Sequence, residues 1–143
     1  MAGLLREQDL LLVDGELFSG PETLAGYDNP VNRRFAWAPL HAVGIRDQDG
    51  ELRFETVEHA DVPGLYAVTK QFEAGRDVQS MMGGESLRLD AGERVAMSRS
   101  GKYTEGTFTR ILEHAGLAIR WLGRSEDGKF VMALAGRMND PAG

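Results

Sequence analysis

From residue 50 onward the chain changes its period. Turn residues at Asp49-Gly50, Pro63-Gly64, Gly83-Gly84 and Ala91-Gly92 cut it into short runs in which apolar and polar side chains alternate. Leu52, Phe54 and Thr56 make one such run and Leu65, Ala67 and Thr69 another, while Leu87 with Leu89 and Val95 with Met97 extend the pattern. Successive side chains on a strand point to opposite faces, so runs of this kind bury themselves as sheets with one packed and one wet face. Short connections between them predict an antiparallel meander. One helix interrupts it. Thr104 reads as an N-cap before Glu105, Phe108, Ile111, Leu112 and Ala115 recur at helical spacing, and Gly116 closes the segment near 104–116. Leu117 to Leu122 and Lys129 to Leu134 then finish as two strands around the turn Ser125-Glu126-Asp127-Gly128.

Residues 1–45 carry a different pattern. Leu4 and Leu5 with the following Arg6-Glu7-Gln8 read as the last turn of a short helix, and Asp9 to Val13 as a buried strand ending at Asp14-Gly15. Ser19-Gly20-Pro21-Glu22 is a helix start, with proline tolerated in the first turn and an acid at the positive end of the dipole. Asn29-Pro30 should interrupt that helix. A second helical segment follows from Val31 to Val43, with Phe35, Leu40 and Val43 as its apolar positions and Trp37 beside them, which Pro39 must kink or divide. There is no internal repeat and no low-complexity tract, so residues 1–143 are expected to form one α+β domain: a helix, strand and helical segment over 1–45, then antiparallel strands over 46–143 with flanking helices.

Charge and composition exclude several function classes. Sixteen Lys and Arg against 22 Asp and Glu leave a net charge of -6, which disfavours a nucleic-acid partner. The absence of cysteine removes disulfides, thiol chemistry and cysteine-ligated zinc. The longest apolar stretches, Leu10 to Val13 and Phe130 to Ala135, fall far below the roughly 18 residues of a membrane helix. The opening residues lack a signal peptide's basic and apolar regions, so a cytoplasmic protein without membrane contact is expected.

Few residue patterns point to chemistry. His41, His59 and His114 share no metal-ligand spacing. Glu58-His59-Ala60-Asp61 is the densest acid and imidazole cluster, but adjacent strand side chains point apart, and a solvated turn explains it better. Asp47, Asp49, Glu51 and Glu58 imitate a calcium loop, except that its sixth position holds Leu52 where the turn needs glycine. Met81-Met82-Gly83-Gly84-Glu85 has no helix after it and cradles no phosphate. Asn32-Arg33-Arg34 before Phe35 and Trp37 mixes cations with aromatics, a combination suited to anions or stacked rings, although a helix with one wet face explains it at least as well. Met97 to Tyr103 brings two hydroxyls, two cations and a phenol to a strand end, with Ser98, Ser100 and Lys102 on one side and Arg99 and Tyr103 on the other. Such a strand end suits a polar or carboxylate-bearing small molecule, and a polar capping turn accounts for it equally well.

A resemblance attaches to these residues. The stretch from Leu89 through Gly92-Glu93 and Ser98-Arg99-Ser100-Gly101-Lys102-Tyr103-Thr104 is followed by a helix ending His114-Ala115-Gly116, a strand with Trp121, and Asp127-Gly128-Lys129-Phe130. It resembles the end of the histidine-specific S-adenosylmethionine-dependent methyltransferases of the ergothioneine pathway. Leu10 to Asp14, then Pro21 to Tyr27-Asp28-Asn29-Pro30 and Phe35, similarly resembles that family's late central-sheet strand and the entry into its substrate-binding lobe. The resemblance covers most of the chain, and its most specific parts are Tyr27-Asp28 and Gly92-Glu93 through Lys102-Tyr103.

The resemblance implies a substrate-binding lobe without its Rossmann half, because the family's glycine-rich cofactor-binding unit would precede Leu4. No cofactor is therefore expected, S-adenosylmethionine entering only if a separate chain carries it. The family holds its substrate imidazole with a Glu and a Ser, and the matching positions are Ser98 and Ser100, so the serine is kept and the acid lost. The family's asparagines after the phenylalanine are Ala36 and Ala38. Tyr27, Ser100, Lys102 and Tyr103 carry over directly. With Phe35, Trp37, Thr69 and Ser98 they form the candidate substrate-binding set, and no catalytic or metal-binding residue is assigned. The resulting expectation is a stand-alone small-molecule-binding domain, or an enzyme repurposed around the old pocket, working as a homodimer or with a partner chain. The alternatives are a methyltransferase component or fragment that needs a separate cofactor-binding chain, and a protein-interaction domain.

Overall fold

The computed structural model describes Gly3 and residues 5–138. The chain is α+β, with three α-helices and eight strands among the described residues. It divides into two compact units, one made of Met1–Ser19, Glu58–Ala67 and Gly101–Gly143, the other of Gly20–Val57 and Val68–Ser100.

The first unit is built on a three-stranded antiparallel sheet. Its strands are β1 (Leu10–Glu16), β8 (Phe130–Arg137) and β7 (Leu117–Arg124), in the order β1-β8-β7. Leu12 pairs with Leu134, and Trp121 pairs with Leu134 from the other side, after a bulge between Ile119 and Trp121. One sheet face sends Val131, Ala133, Ala135 and Leu117 into a core closed by Phe108 and Leu112 of helix α3 (Glu105–His114). That close approach requires Gly15, where an added Cβ would lie 2.8 Å from the Phe108 ring. Thr104 caps α3 by accepting a hydrogen bond from the Thr107 N–H at 3.2 Å.

The second unit holds α1 (Pro21–Tyr27), α2 (Pro30–Ala42), a 3-10 turn (Asp47–Asp49), and most of β2 (Gly50–Glu58), β3 (Leu65–Ala74) and β6 (Arg94–Tyr103), which lie in the order β2-β3-β6. A separate hairpin pairs β4 (Val78–Met82) with β5 (Glu85–Leu89). Its two-residue turn is Gly83-Gly84, both with positive φ (62° and 88°), the conformation a tight hairpin asks of glycine. Ala36 and Leu40 of α2 meet Leu52, Phe54 and Phe72 in the core, with Phe72 fully buried.

Several expectations need correction. The strands are not a simple meander, since β6 passes over the β4–β5 hairpin to pair with β3, and β1 closes on β8 from the far end of the chain. Asn29-Pro30 does separate two helices: Asn29 Oδ1 accepts from the N–H groups of Val31 (3.1 Å) and Asn32 (3.0 Å), and Pro30 takes the first helical position. Of the two outcomes expected at Pro39, a kink or a division, the helix is not divided: α2 runs through it to Ala42. The carbonyl that loses its donor belongs to Phe35, four residues earlier on an exposed stretch where water can replace it. The buried stripe of α2 is Ala36 and Leu40, and Phe35 stands 75% exposed. Of the proposed opening helix, Leu4 lies outside the described residues, and Arg6–Asp9 form a turn closed by Asp9 N–H to the Arg6 carbonyl at 3.1 Å. No helix among the described residues is long and apolar enough to cross a membrane.

Candidate functional site

The end of α1 and the start of α2 set the site in the second unit. Asp28 lies just past α1, and the Asn29 cap aims the first turns of α2 so that Arg33 reaches back to it. The pair is bidentate, Nε to Oδ1 at 2.6 Å and Nη2 to Oδ2 at 3.0 Å, and this hydrogen bonding to Asp28 raises the Arg33 pKa further above its usual range. The guanidinium carbon lies 5.2 Å from the centroid of the Phe54 ring. A second cation shares that ring, with Lys70 Nζ 5.4 Å from the Phe54 centroid and 5.9 Å from that of Phe35. No carboxylate forms an ion pair with Lys70 among the described residues.

In the same unit, the Tyr27 phenol and the Ser100 hydroxyl lie 3.2 Å apart across 73 residues of sequence, both half-buried. They join the last residue of α1 to the part of β6 that belongs to the same unit. The second unit therefore carries a hydroxyl pair, a cation with no ion-pair partner among the described residues and an exposed aromatic ring.

The other nominated residues are spread more widely. Trp37 is half-buried, stacked on His41 at 5.4 Å and edge-on to Phe72 at 5.8 Å. Thr69 is half-buried and donates to the Glu55 carbonyl at 3.4 Å, while Ser98 is exposed on β6. Lys102 and Tyr103 belong to the first unit. Lys102 is buried, with Nζ 2.7 Å from Glu16 Oε2, and Tyr103 meets Phe108 edge-on at 5.7 Å while its carbonyl accepts from the Phe18 N–H at 2.9 Å.

Lys70 and Phe54 were not among the nominated residues, although the sequence does mark Lys70. It falls in period-two register with Val68, Phe72 and Ala74, all buried, so a cation sits on the packed face of a strand. Glu58 ends β2 and the chain turns at Ala60-Asp61; Glu58 Oε1 accepts from the Gly64 N–H (3.1 Å) and His59 Nδ1 from the Asp61 N–H (3.3 Å). No group of three or more potential metal ligands occurs among the described residues.

Each unit carries a concavity of its own. In the first unit, one of about 370 Å³ lies between Pro63 and α3, but its Arg110 guanidinium is occupied by the Thr107 hydroxyl and the Gly106 carbonyl. In the second unit, a cleft of about 350 Å³ is lined entirely by apolar side chains, among them Leu40, Met82, Leu87 and Met97, and it offers no group to orient a polar ligand. Neither includes Tyr27, Ser100 or Lys70. No protein-family model matches the chain, and no curated protein matches it.

Proposed function

We propose that the chain is a small-molecule-binding domain, or an enzyme repurposed around such a site, derived from the substrate-binding part of a methyltransferase and without S-adenosylmethionine binding of its own. The observation that carries this reading is the Tyr27–Ser100 hydroxyl pair, two polar groups 73 residues apart brought to 3.2 Å in a half-buried setting. Lys70 and Phe35 add the ligand's chemistry. An ammonium with no ion-pair partner among the described residues, next to a phenylalanine 75% exposed, suits a molecule that joins a flat ring to a carboxylate. The serine at position 98, where the resembled family has an acid, fits a ligand less basic than histidine. Self-association, or a separate partner chain, completes the reading.

The test is titration of the isotope-labelled chain with benzoate, phenylacetate, histidine and S-adenosylmethionine, read by amide shifts and calorimetry. Saturable shifts at Tyr27, Phe35, Lys70 and Ser100 with the aromatic carboxylates, weakened at least about ten-fold by Lys70→Met, support the proposal. Silence of those amides at millimolar benzoate and phenylacetate overturns it. Saturable binding of S-adenosylmethionine would instead restore a methyltransferase.

A further inference from the structure

Among the described residues, the sheet of the first unit is packed on one face and leaves much of the other exposed, except at its Glu16 end, where Lys102 covers Glu16. Strand register puts Leu10, Leu12 and Asp14 of β1 on the exposed face opposite Gly136, Leu134 and Met132 of β8, with Trp121 of β7 against Leu134. Leu10, Leu12, Trp121, Phe130 and Met132 are 40–61% exposed there. Isolated apolar side chains on a surface need no explanation, but five large ones on one flat face do. A Cβ added at Gly123 would overlap Trp121 Cη2 and Cζ2, so the indole lies along the sheet over that glycine. A large, half-exposed tryptophan in an apolar patch has the character of an interface anchor.

We infer that this face docks a second copy of the same chain, packing sheet on sheet about a two-fold axis. The inference rests on the self-association named in the proposed function and identifies the surface responsible. Area and charge both favour a second copy. From their exposures, the five side chains offer about 500 Å² of apolar surface per copy, so a symmetric pair buries about 1,000 Å², near the lower bound of a specific interface.

The charges on the face are self-complementary. Arg120 Nε lies 3.6 Å from where a Gly136 Cβ would sit, which puts this exposed cation at the Leu10 end. Asp14 lies four residues along β1, about 13 Å away. A two-fold axis in the interface, across the strands and through the Leu12–Leu134–Trp121 row, brings each Arg120, which reaches over β8, within about one strand spacing of the partner copy's Asp14 on β1. An axis along the strands would bring like charges together, so the charges select one of the two face-to-face arrangements.

The experiment is sedimentation velocity of the full chain from about 1 to about 300 μM. Wild type is compared with Leu12→Lys, Arg120→Asp, Asp14→Arg, the double charge swap, and Phe35→Ser on the other unit as a control. The expected result is a dimer with a micromolar midpoint, weakened at least about ten-fold by Leu12→Lys and by each single charge reversal, restored by the double swap and untouched by Phe35→Ser. The altered side chains are all exposed, and unchanged circular dichroism shows that the fold persists. A monomer throughout the range overturns both this surface and self-association. A dimer indifferent to Leu12→Lys and to the charge swaps overturns the surface alone. A monomer that instead sediments with phosphatidylcholine vesicles through Trp121 also overturns it, making the patch a lipid-facing one.

Discussion

Gly50 opens β2 with φ at 172°, an extended conformation any residue adopts, so its identity is a matter of space. A Cβ there would overlap the Glu73 carbonyl oxygen and lie 2.7 Å from Phe72 Cζ. Carbon atoms need roughly 3.5 Å, so Gly50→Ala must push β2 and β3 apart by about 1 Å, and Phe72 is fully buried with nowhere to retreat. The adjacent hydrogen bond from the Gly75 N–H to the Asp49 carbonyl, at 2.8 Å, is stretched with it. Losing that bond costs about 1 kcal/mol and overpacking the core about 2 more, so Gly50→Ala should destabilise the second unit by about 3 kcal/mol and lower Tm by about 10 °C. Gly106 in α3 is the control: nothing lies within 4 Å of its added Cβ, and Gly106→Ala should stabilise by up to about 1 kcal/mol. Urea unfolding can follow Trp37 for the second unit and Trp121 for the first. A Gly50→Ala variant within about 0.5 kcal/mol of wild type would refute the steric reasoning.

Acid should weaken the second unit in a defined window. Asp49 is buried, and the Arg46 N–H (2.6 Å) and then the Arg76 guanidinium hold its carboxyl below the usual carboxylate range. A carboxyl with a lower pKa folded than unfolded stabilises above its unfolded pKa and loses that contribution as pH falls through the folded one. The stability gap between wild type and Asp49→Asn should therefore be full at neutral pH and shrink below about pH 4, and a gap constant down to pH 2 would contradict this. Asn29→Ala removes the cap of α2 and should cost about 1 kcal/mol in the same unfolding assay, an effect rescued by Asn29→Asp. Tyr27→Phe breaks the contact to Ser100 while keeping the ring; it should cost no more than about 1 kcal/mol of stability yet weaken aromatic carboxylates several-fold by calorimetry.

Local signals in this sequence proved reliable where the physics is local. The α3 cap at Thr104, its Phe108 and Leu112 stripe and the Gly116 stop involve residues within a turn or two of each other, as do the Gly83-Gly84 hairpin and the Asn29-Pro30 break. Pro39 leaves α2 undivided, because a proline inside a helix is tolerated when the carbonyl it orphans can reach water. The candidate site is partly visible in the sequence: cations beside Phe35 and the hydroxyls near residue 100 stand out, while the role of Lys70 depends on the spatial approach of Phe35 and Phe54.

The sequence by itself determined the α+β class, most element positions and the acidic, cysteine-free character of the chain, since these follow from periodicity, turn chemistry and composition. Tertiary structure alone decided that β1 closes on β8, that β6 joins β3 over an intervening hairpin, and that Lys102 is buried against Glu16. It also decided that Leu10, Leu12 and Trp121 share one exposed face. Strand alternation says which side chains share a face, but only pairing between distant segments says which face another element covers.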